Sequence, residues 1–484
     1  MNYTKKIVYN TASQALGRII IVIISLFMTA FLTRYLGATY YGFYTLITTY
    51  LAIATSFYDF GVGTIGSREI AKKNQSSQKI MGDVFSLRLI FGLIIFLAVF
   101  IVSKFAYSGD SVVALQTGMM IASITIIINN LSSSWISVFI ANLKMEYIAL
   151  SEVINKIVVF SGILLILKFD LGFYPIIGLI VLGNLAQLSI ITWFAKILFQ
   201  LKIVFTRTNW KKILADSWPL GLFLILANLL FRVDSIFISY LRPLKEVGLY
   251  GAAFKIFDII LIFAAYYAGS VFPIISKKVN DKDHLGITRV LQGSFDFLWI
   301  TSVSIAVLIF YLSREIINII AGPEFFAAIP ALQILAVGVI FGFFNAILGY
   351  LMIAQNRQKI TLVIIFIGLV INVILNLIFI PRFGFVAAAT TTTFAEFITL
   401  ALTAYFMFKF YKIKLKYWNI IQSSAFLILL ILFLWISSGF VSGYFKFLVV
   451  GLALVICYTL LIYFNKDFRR IVFDLLKLNK NNEK

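Results

Sequence analysis

Charge is what this sequence has little of. Asp, Glu, Lys and Arg make up only 13% of its 484 residues, where soluble globular chains carry about 25%. With 61% hydrophobic residues and a mean hydropathy of +1.00, the chain cannot cover a water-facing surface with polar groups, so its solvent is lipid. Cysteine is nearly absent too: Cys457 stands alone, which excludes an intramolecular disulfide framework. Histidine occurs once, as His284 in "DKDHLG", and with no second imidazole no transition-metal site is expected; His284 reads as a solvated loop residue. No stretch reads G-x-x-x-x-G-K-[ST], so ATP hydrolysis at a P-loop is excluded. "GVGTIG" at Gly61–Gly66 matches the dinucleotide fingerprint in letters only, because it follows an apolar span rather than a strand. Glycines allowing a tight turn at a helix end explain it better. The N-terminal polar stretch runs into a full-length apolar span without a small-residue cleavage site, so no cleavable signal peptide is expected.

What is there is a succession of apolar runs, each near the roughly 20 residues that a helix needs to cross a bilayer. They lie at about 12–33, 41–62, 84–104, 113–140, 148–168, 173–195, 217–240, 248–273, 293–312, 328–354, 360–380, 384–408, 418–437 and 444–464. The expected fold class is therefore an all-α polytopic membrane protein of about 14 transmembrane helices. The net charge of +21 argues for orientation rather than nucleic acid, because Lys and Arg sit between the spans and not on one continuous face. Taking the N-terminus as cytoplasmic, the inward segments hold 29 of the 41 basic residues, with Arg88 near the start of the 84–104 run counted among them, the outward loops 8, and Arg18, Lys156, Arg232 and Lys255 fall within spans. That asymmetry satisfies the positive-inside rule and puts both termini in the cytoplasm.

The sequence echoes itself. "RYLGATYYGFY" (34–44) returns as "SYLRPLKEVGLY" (239–250), and "FDLGFYPIIGLIV" from Phe169 returns as "IPRFGFVAAATTT" from Ile380. The two echoes come in the same order at nearly equal spacing. A six-span repeat results, with an N-lobe over 1–200, a C-lobe over 210–410, and spans 13 and 14 at 417–465 outside the symmetry. An even number of spans keeps the orientation, so the two lobes are parallel repeats, as in transporters that hold a substrate between rocking bundles. The basic tail at 466–484, which contains "KDFRRIVFDLLKLNK", reads either as an amphipathic helix on the anionic inner leaflet or as a disordered tail.

At these residues the chain resembles a known family. "RYLGATYYGFYTLITTYLAIATSFYDFGVGTIGSREIAKK" is similar to the N-terminal signature of polysaccharide (O-antigen-type) flippases. These belong to the multidrug/oligosaccharidyl-lipid/polysaccharide exporter superfamily. "GPEFFAAIPALQILAVGVIFGFFNAILGYLMIAQNRQK" and "NLIFIPRFGFVAAATTTTFAE" resemble its C-lobe segments. The resemblance implies a transporter rather than an enzyme, with two six-helix lobes. It implies that an undecaprenyl-diphosphate-linked oligosaccharide is flipped from the cytoplasmic to the outer leaflet of a bacterial plasma membrane. The partners it implies are that lipid-linked glycan, membrane lipids and the polymerase or glycosyltransferase machinery, with no nucleic acid. No cofactor is expected; the drive is open among Na+ or H+ coupling, membrane potential and consumption of product. A drug/cation antiporter on the same fold should present mostly acids to its substrate, whereas the first span carries Arg18 and no acid. Flipping of the peptidoglycan lipid precursor shares the diphosphate-lipid chemistry and stays open.

Charges inside the spans are the candidate site, because each is costly in lipid. Arg18 and Arg232, at different heights, suit a diphosphate, since a guanidinium donates paired hydrogen bonds to phosphate oxygens. The plainer alternatives are snorkelling of Arg18 to the interface and an ion pair of Arg232 with an acid on another helix. Asp234 is two residues from Arg232 and points to another side of its helix. Glu152 with Lys156, and Lys255 with Asp258, are spaced to pair on one helical face, which serves self-neutralisation, coupling or substrate binding alike. Glu396 joins the candidate coupling or charge-pair acids. Asp59 in "YDFG" and Arg68-Glu69 in "SREIAKK" are candidates for a cytoplasmic gate or for packing. Asn129, Asn130, Asn184, Gln187, Asn228, Asn345, Asn372 and Asn376 offer partners to sugar hydroxyls, or hydrogen bonds between helices.

Overall fold

The computed structural model describes residues 3–71, 75–105, 107, 113–198, 206–411, 418–437, 440–441 and 443–464. The basic tail read at 466–484 lies outside the described residues. Among those described, every regular element is a helix: α1 (Tyr3–Asp59), α2 (Val62–Ala71), α3 (Gln75–Phe105), α4 (Val113–Ala141), α5 (Met145–Phe169), α6 (Phe173–Leu198), α7 (Arg207–Leu241), α8 (Leu244–Asn280), α9 (His284–Ile320), α10 (Ile329–Ala354), α11 (Gln358–Phe383), α12 (Phe385–Tyr411), α13 (Trp418–Ser437) and α14 (Phe445–Phe464). Among the described residues, twelve stretches are long and apolar enough to cross a membrane, and Phe445–Leu460 is a shorter apolar helix. Helices satisfy their own backbone groups, which lipid cannot do, so this is a multi-pass integral membrane protein.

The first two expected spans are two helices that follow one another directly, joined at Gly37. Leu16–Asp59 runs for 44 residues and is broken at Gly37, whose backbone (φ 64°, ψ 176°) is not helical. A side chain there would be strained. The restart is capped from far along the chain: the Ala38 N–H donates to Glu324 Oε1 at 2.9 Å, and Thr33 Oγ1 donates to the Ile320 carbonyl at 3.0 Å. The segment expected to be a cytoplasmic loop after the second span holds α2. Helices α8 and α9 run 37 residues each, about 55 Å at 1.5 Å per residue, against a bilayer core of about 30 Å. Their charged ends continue the helix beyond the apolar run, so the loop expected between them shrinks to a turn at 281–283.

The chain divides into two compact units, Met1–Gly251 with Ile320–Glu324, and Ala252–Ile319 with Phe325–Lys484. In the first, α1 packs against α3, α4, α5 and α7, while α6 closes on α4 and α5. A core of Val62, Met81, Val84, Val138, Phe139, Ile191 and Ala195 seals the end where α2 sits. In the second unit α12 packs between α10 and α11. The α13–α14 pair docks on α9 through Ile300, Leu312, Leu430, Leu434, Val450 and Cys457. A line of polar contacts follows the same seam: Asn419 to Asp296 (3.0 Å), Trp299 to Ser424 (3.1 Å), Tyr311 with Ser437 (3.0 Å) and Lys446 to Glu315 (3.0 Å).

Candidate functional site

Inside the first unit four helices put polar side chains on facing stripes. On α4 they are Asn129, Ser132 and Ser133, followed by Ile136; on α5 Glu152, Asn155 and Lys156, followed by Val159; on α6 Asn184 and Gln187, preceded by Ile180. Spacings of three and four place each set on one helical face. With Arg18, Met28, Tyr44, Thr48, Thr55 and Tyr58 from α1 they line a cavity of about 380 Å³. A helix that must face lipid on one side and this cavity on the other carries its polar residues as a narrow stripe, which is what the sequence displays.

Charge is arranged around Glu152, which lies in the field of both Arg18 and Lys156. Two cations and one carboxylate leave the cavity one positive charge in excess. Arg18 therefore has an acid of a neighbouring helix, α5, within its field, and its side chain lines the cavity rather than standing alone in lipid. What brings α1 and α5 so close is Gly17: a Cβ there would sit 2.9 Å from the Cβ of Ala149. Beside the charges, Asn155 Nδ2 donates to Gln187 Oε1 at 3.0 Å and to Asn184 Oδ1 at 3.3 Å, and Asn184 Nδ2 donates to the Ile180 carbonyl at 2.7 Å. These amides tie α5 to α6 and face the same space as the cations. An anionic group with hydroxyls attached finds both charge and hydrogen-bond partners there.

The other candidates stand elsewhere. Arg232 is partly buried on α7 and does not line this cavity. Asp234 is fully buried and accepts a hydrogen bond from Tyr250 Oη at 2.8 Å. Lys255 and Asp258 are partly buried on α8, in the second unit. Glu396, 4% exposed on α12, accepts a hydrogen bond from Asn345 Nδ2 at 2.6 Å, and the same amide reaches Thr399 Oγ1 at 2.9 Å. Arg68 bridges Asp216 on α7 at 3.2 Å and lies 3.5 Å from Glu69, an exposed link between α2 and α7. Asp59 ends α1 and pairs with Arg88. Arg88 escapes the sequence reading, which counts it among the inward basic residues although it falls within the 84–104 run; it is 2% exposed inside the Lys79–Phe105 span. A signal was present: an arginine inside an apolar helix demands an acid, and Asp59 closes the span before it. Asn130 donates to the Arg88 carbonyl at 2.6 Å, so it serves packing rather than the cavity.

Comparison with known proteins decides the family. A model described as "Polysaccharide biosynthesis protein" matches residues 7–279, more than half of the chain. The chain belongs to that family. A second model, MatE, matches residues 219–378, in keeping with the polysaccharide flippases of the wider exporter superfamily that the motifs resemble. Among curated relatives, the probable low-salt glycan biosynthesis flippase Agl15 of Haloferax volcanii is 25% identical over 80% of each chain. The capsular polysaccharide biosynthesis protein CapF of Staphylococcus aureus is 21% identical over 70% of this chain and 84% of its own. An uncharacterized membrane protein, MJ1068 of Methanocaldococcus jannaschii, is 28% identical, but the match spans 48% of this chain and 46% of that relative. Among solved structures, the lipid II flippase MurJ in an inward closed conformation matches with a TM-score of 0.78 at 17% identity, over 96% of this chain and 99% of its own. That likeness establishes the fold.

Proposed function

We propose that this polysaccharide-family protein translocates an undecaprenyl-diphosphate-linked oligosaccharide from the cytoplasmic to the outer leaflet by alternating access of two six-span lobes, 1–200 and 210–410. The observation that carries the reading is the cavity in which Arg18 and Lys156 flank Glu152 beside an amide wall. The diphosphate binds Arg18 and Lys156, whose charges outnumber the carboxylate, while sugar hydroxyls exchange hydrogen bonds with Asn129, Asn184 and Gln187. Arg232 and Lys255 receive the diphosphate later in the cycle. Glu152 holds the two cations in place when the cavity is empty, and Glu396, Asp234 and Asp258 are the acids available for coupling to Na+ or H+. Asp59, Arg68 and Glu69 close the cytoplasmic side. Both termini are cytoplasmic, and polymerase and glycosyltransferase machinery consumes or supplies the cargo. A cavity with a net positive charge disfavours a cationic drug as cargo.

The test is export of surface polysaccharide in a strain that depends on this protein, with membrane abundance measured for each variant. Arg18→Ala and Arg18→Glu abolish export at normal abundance, while Arg18→Lys keeps part of it. Full export by every Arg18 variant contradicts the reading.

A further inference from the structure

A second cavity, of about 400 Å³, opens where α9 ends and α14 begins. It is remote in sequence from every residue of the site above, and its chemistry is of another kind. We propose that it is a phospholipid headgroup site, selective for a phosphodiester that carries an N–H or O–H donor, such as ethanolamine, over one that carries choline.

Two cations define its anionic half. Arg314 is exposed and its guanidinium lies 5.1 Å from the centre of the Phe326 ring. Among the described residues it belongs to no ion pair, so its N–H groups remain for a ligand. Lys446 is fixed from behind: Glu315 Oε1 holds its Nζ at 3.0 Å, and the Tyr311 ring lies 5.2 Å away. Lys446 also belongs to the first turn of α14, where the helix dipole favours an anion. A phosphodiester brings one negative charge to two cations that share one carboxylate.

That carboxylate defines the other half. Glu315 is 7% exposed, and Oε2 has no hydrogen-bond partner although its neighbour Oε1 is occupied. A buried acceptor without a donor costs on the order of 1–3 kcal/mol, and Glu315 is part of the cavity wall. A primary ammonium or a hydroxyl on the ligand supplies the missing donor; a quaternary ammonium has none to give. Asn318 Nδ2 donates to Tyr444 Oη at 3.2 Å, which closes the wall between α9 and α14.

The setting fits a lipid rather than a dissolved phosphate. Tyr444 lines the cavity and is exposed, and tyrosines at the ends of spanning helices mark the level of the headgroups; Phe440 and Phe445, close to it in sequence, are exposed as well. A headgroup seated here would brace the α13–α14 pair against α9 at the end where Lys446 and Glu315 already join them.

The experiment uses the full chain in vesicles containing equal amounts of phosphatidylethanolamine and phosphatidylcholine with matched acyl chains. Lipids retained through mild delipidation are counted by native mass spectrometry. The wild type retains phosphatidylethanolamine preferentially. Arg314→Ala lowers that retention about ten-fold or more, the scale of a charge-assisted hydrogen bond, and Glu315→Gln removes the preference for ethanolamine over choline. Equal retention of the two lipids by the wild type overturns the proposal, as does an Arg314→Ala variant indistinguishable from it. Displacement of the lipid by millimolar soluble phosphoethanolamine also overturns it, in favour of a site for a water-soluble phosphate. Arg314 sits in no described ion pair, so its variant tests the site even if Glu315→Gln fails to fold.

Discussion

At the scale of single residues, Asp59–Arg88 is an ion pair whose arginine is buried, and Glu396 a buried acid with a neutral partner. Removing one partner of a buried ion pair leaves the other charge uncompensated, at a cost of about 3–5 kcal/mol. Asp59→Asn is therefore expected to lower the melting temperature of the full chain in detergent strongly, because it strands the buried Arg88. Arg88→Met lowers it less, because the Asp59 left behind keeps access to solvent. The double variant recovers part of the loss; strictly additive effects would remove the pair from the account. Glu396 differs because its described hydrogen-bond donor is the neutral amide of Asn345. A glutamine fills the same space and accepts the same hydrogen bond, so Glu396→Gln is expected to reach normal membrane abundance. If this acid couples transport to an ion, export falls nonetheless. Normal export by Glu396→Gln would take it off the coupling list.

Between elements, distances are set by where side chains are missing. Gly17 lets α1 meet α5, and through that contact Arg18 reaches Glu152. Gly17→Leu is expected to reduce export at least as much as Arg18→Ala, although it removes no charge; unchanged export would show that the two helices need not touch. A second crossing joins the echoing segments themselves. A Cβ on Gly42 would strike the Leu244 carbonyl, and one on Gly248 would strike the Ala38 carbonyl. Residues 38 and 42 thus meet 244 and 248 reciprocally. The turn before α9 carries a pH signature. Asp283 accepts from Lys278 Nζ at 2.9 Å and from the Gly286 N–H at 2.7 Å, and these bonds, Lys278 first, hold its carboxyl below the usual carboxylate range. Because the folded value is depressed, the cap is fully present above the ordinary value of about 4 and is lost as pH falls through the lower, folded one. Amide exchange at Gly286 should therefore accelerate only below about pH 4, and Asp283→Ala should abolish that dependence.

For the molecule as a whole, class and family were legible early because lipid imposes its demand on every span. Fourteen apolar runs, the echoed segments and the motif around "YDFGVGTIG" all precede any tertiary fact. The site was legible in part. Glu152 and Lys156 declare themselves by their spacing on one helix, and the stripes of α4, α5 and α6 by their period. What stayed hidden depends on pairs far apart in the chain: Arg18 with Glu152, Asp59 with Arg88, the Ala38 N–H with Glu324. No periodicity encodes such meetings. Helix ends were misjudged for a related reason, since hydropathy marks where lipid begins and not where the backbone stops coiling, as α8 and α9 show.

The central claim is that the cavity of the first unit holds a lipid diphosphate between Arg18 and Lys156. Its most direct test is equilibrium binding of undecaprenyl diphosphate to the purified full chain in lipid nanodiscs, with undecaprenol as the uncharged control. The account predicts that wild type prefers the diphosphate and that Arg18→Ala and Lys156→Ala each weaken it about ten-fold or more, as for a charge-assisted hydrogen bond to phosphate. Equal affinity for diphosphate and undecaprenol, or binding unmoved by both substitutions, would contradict it.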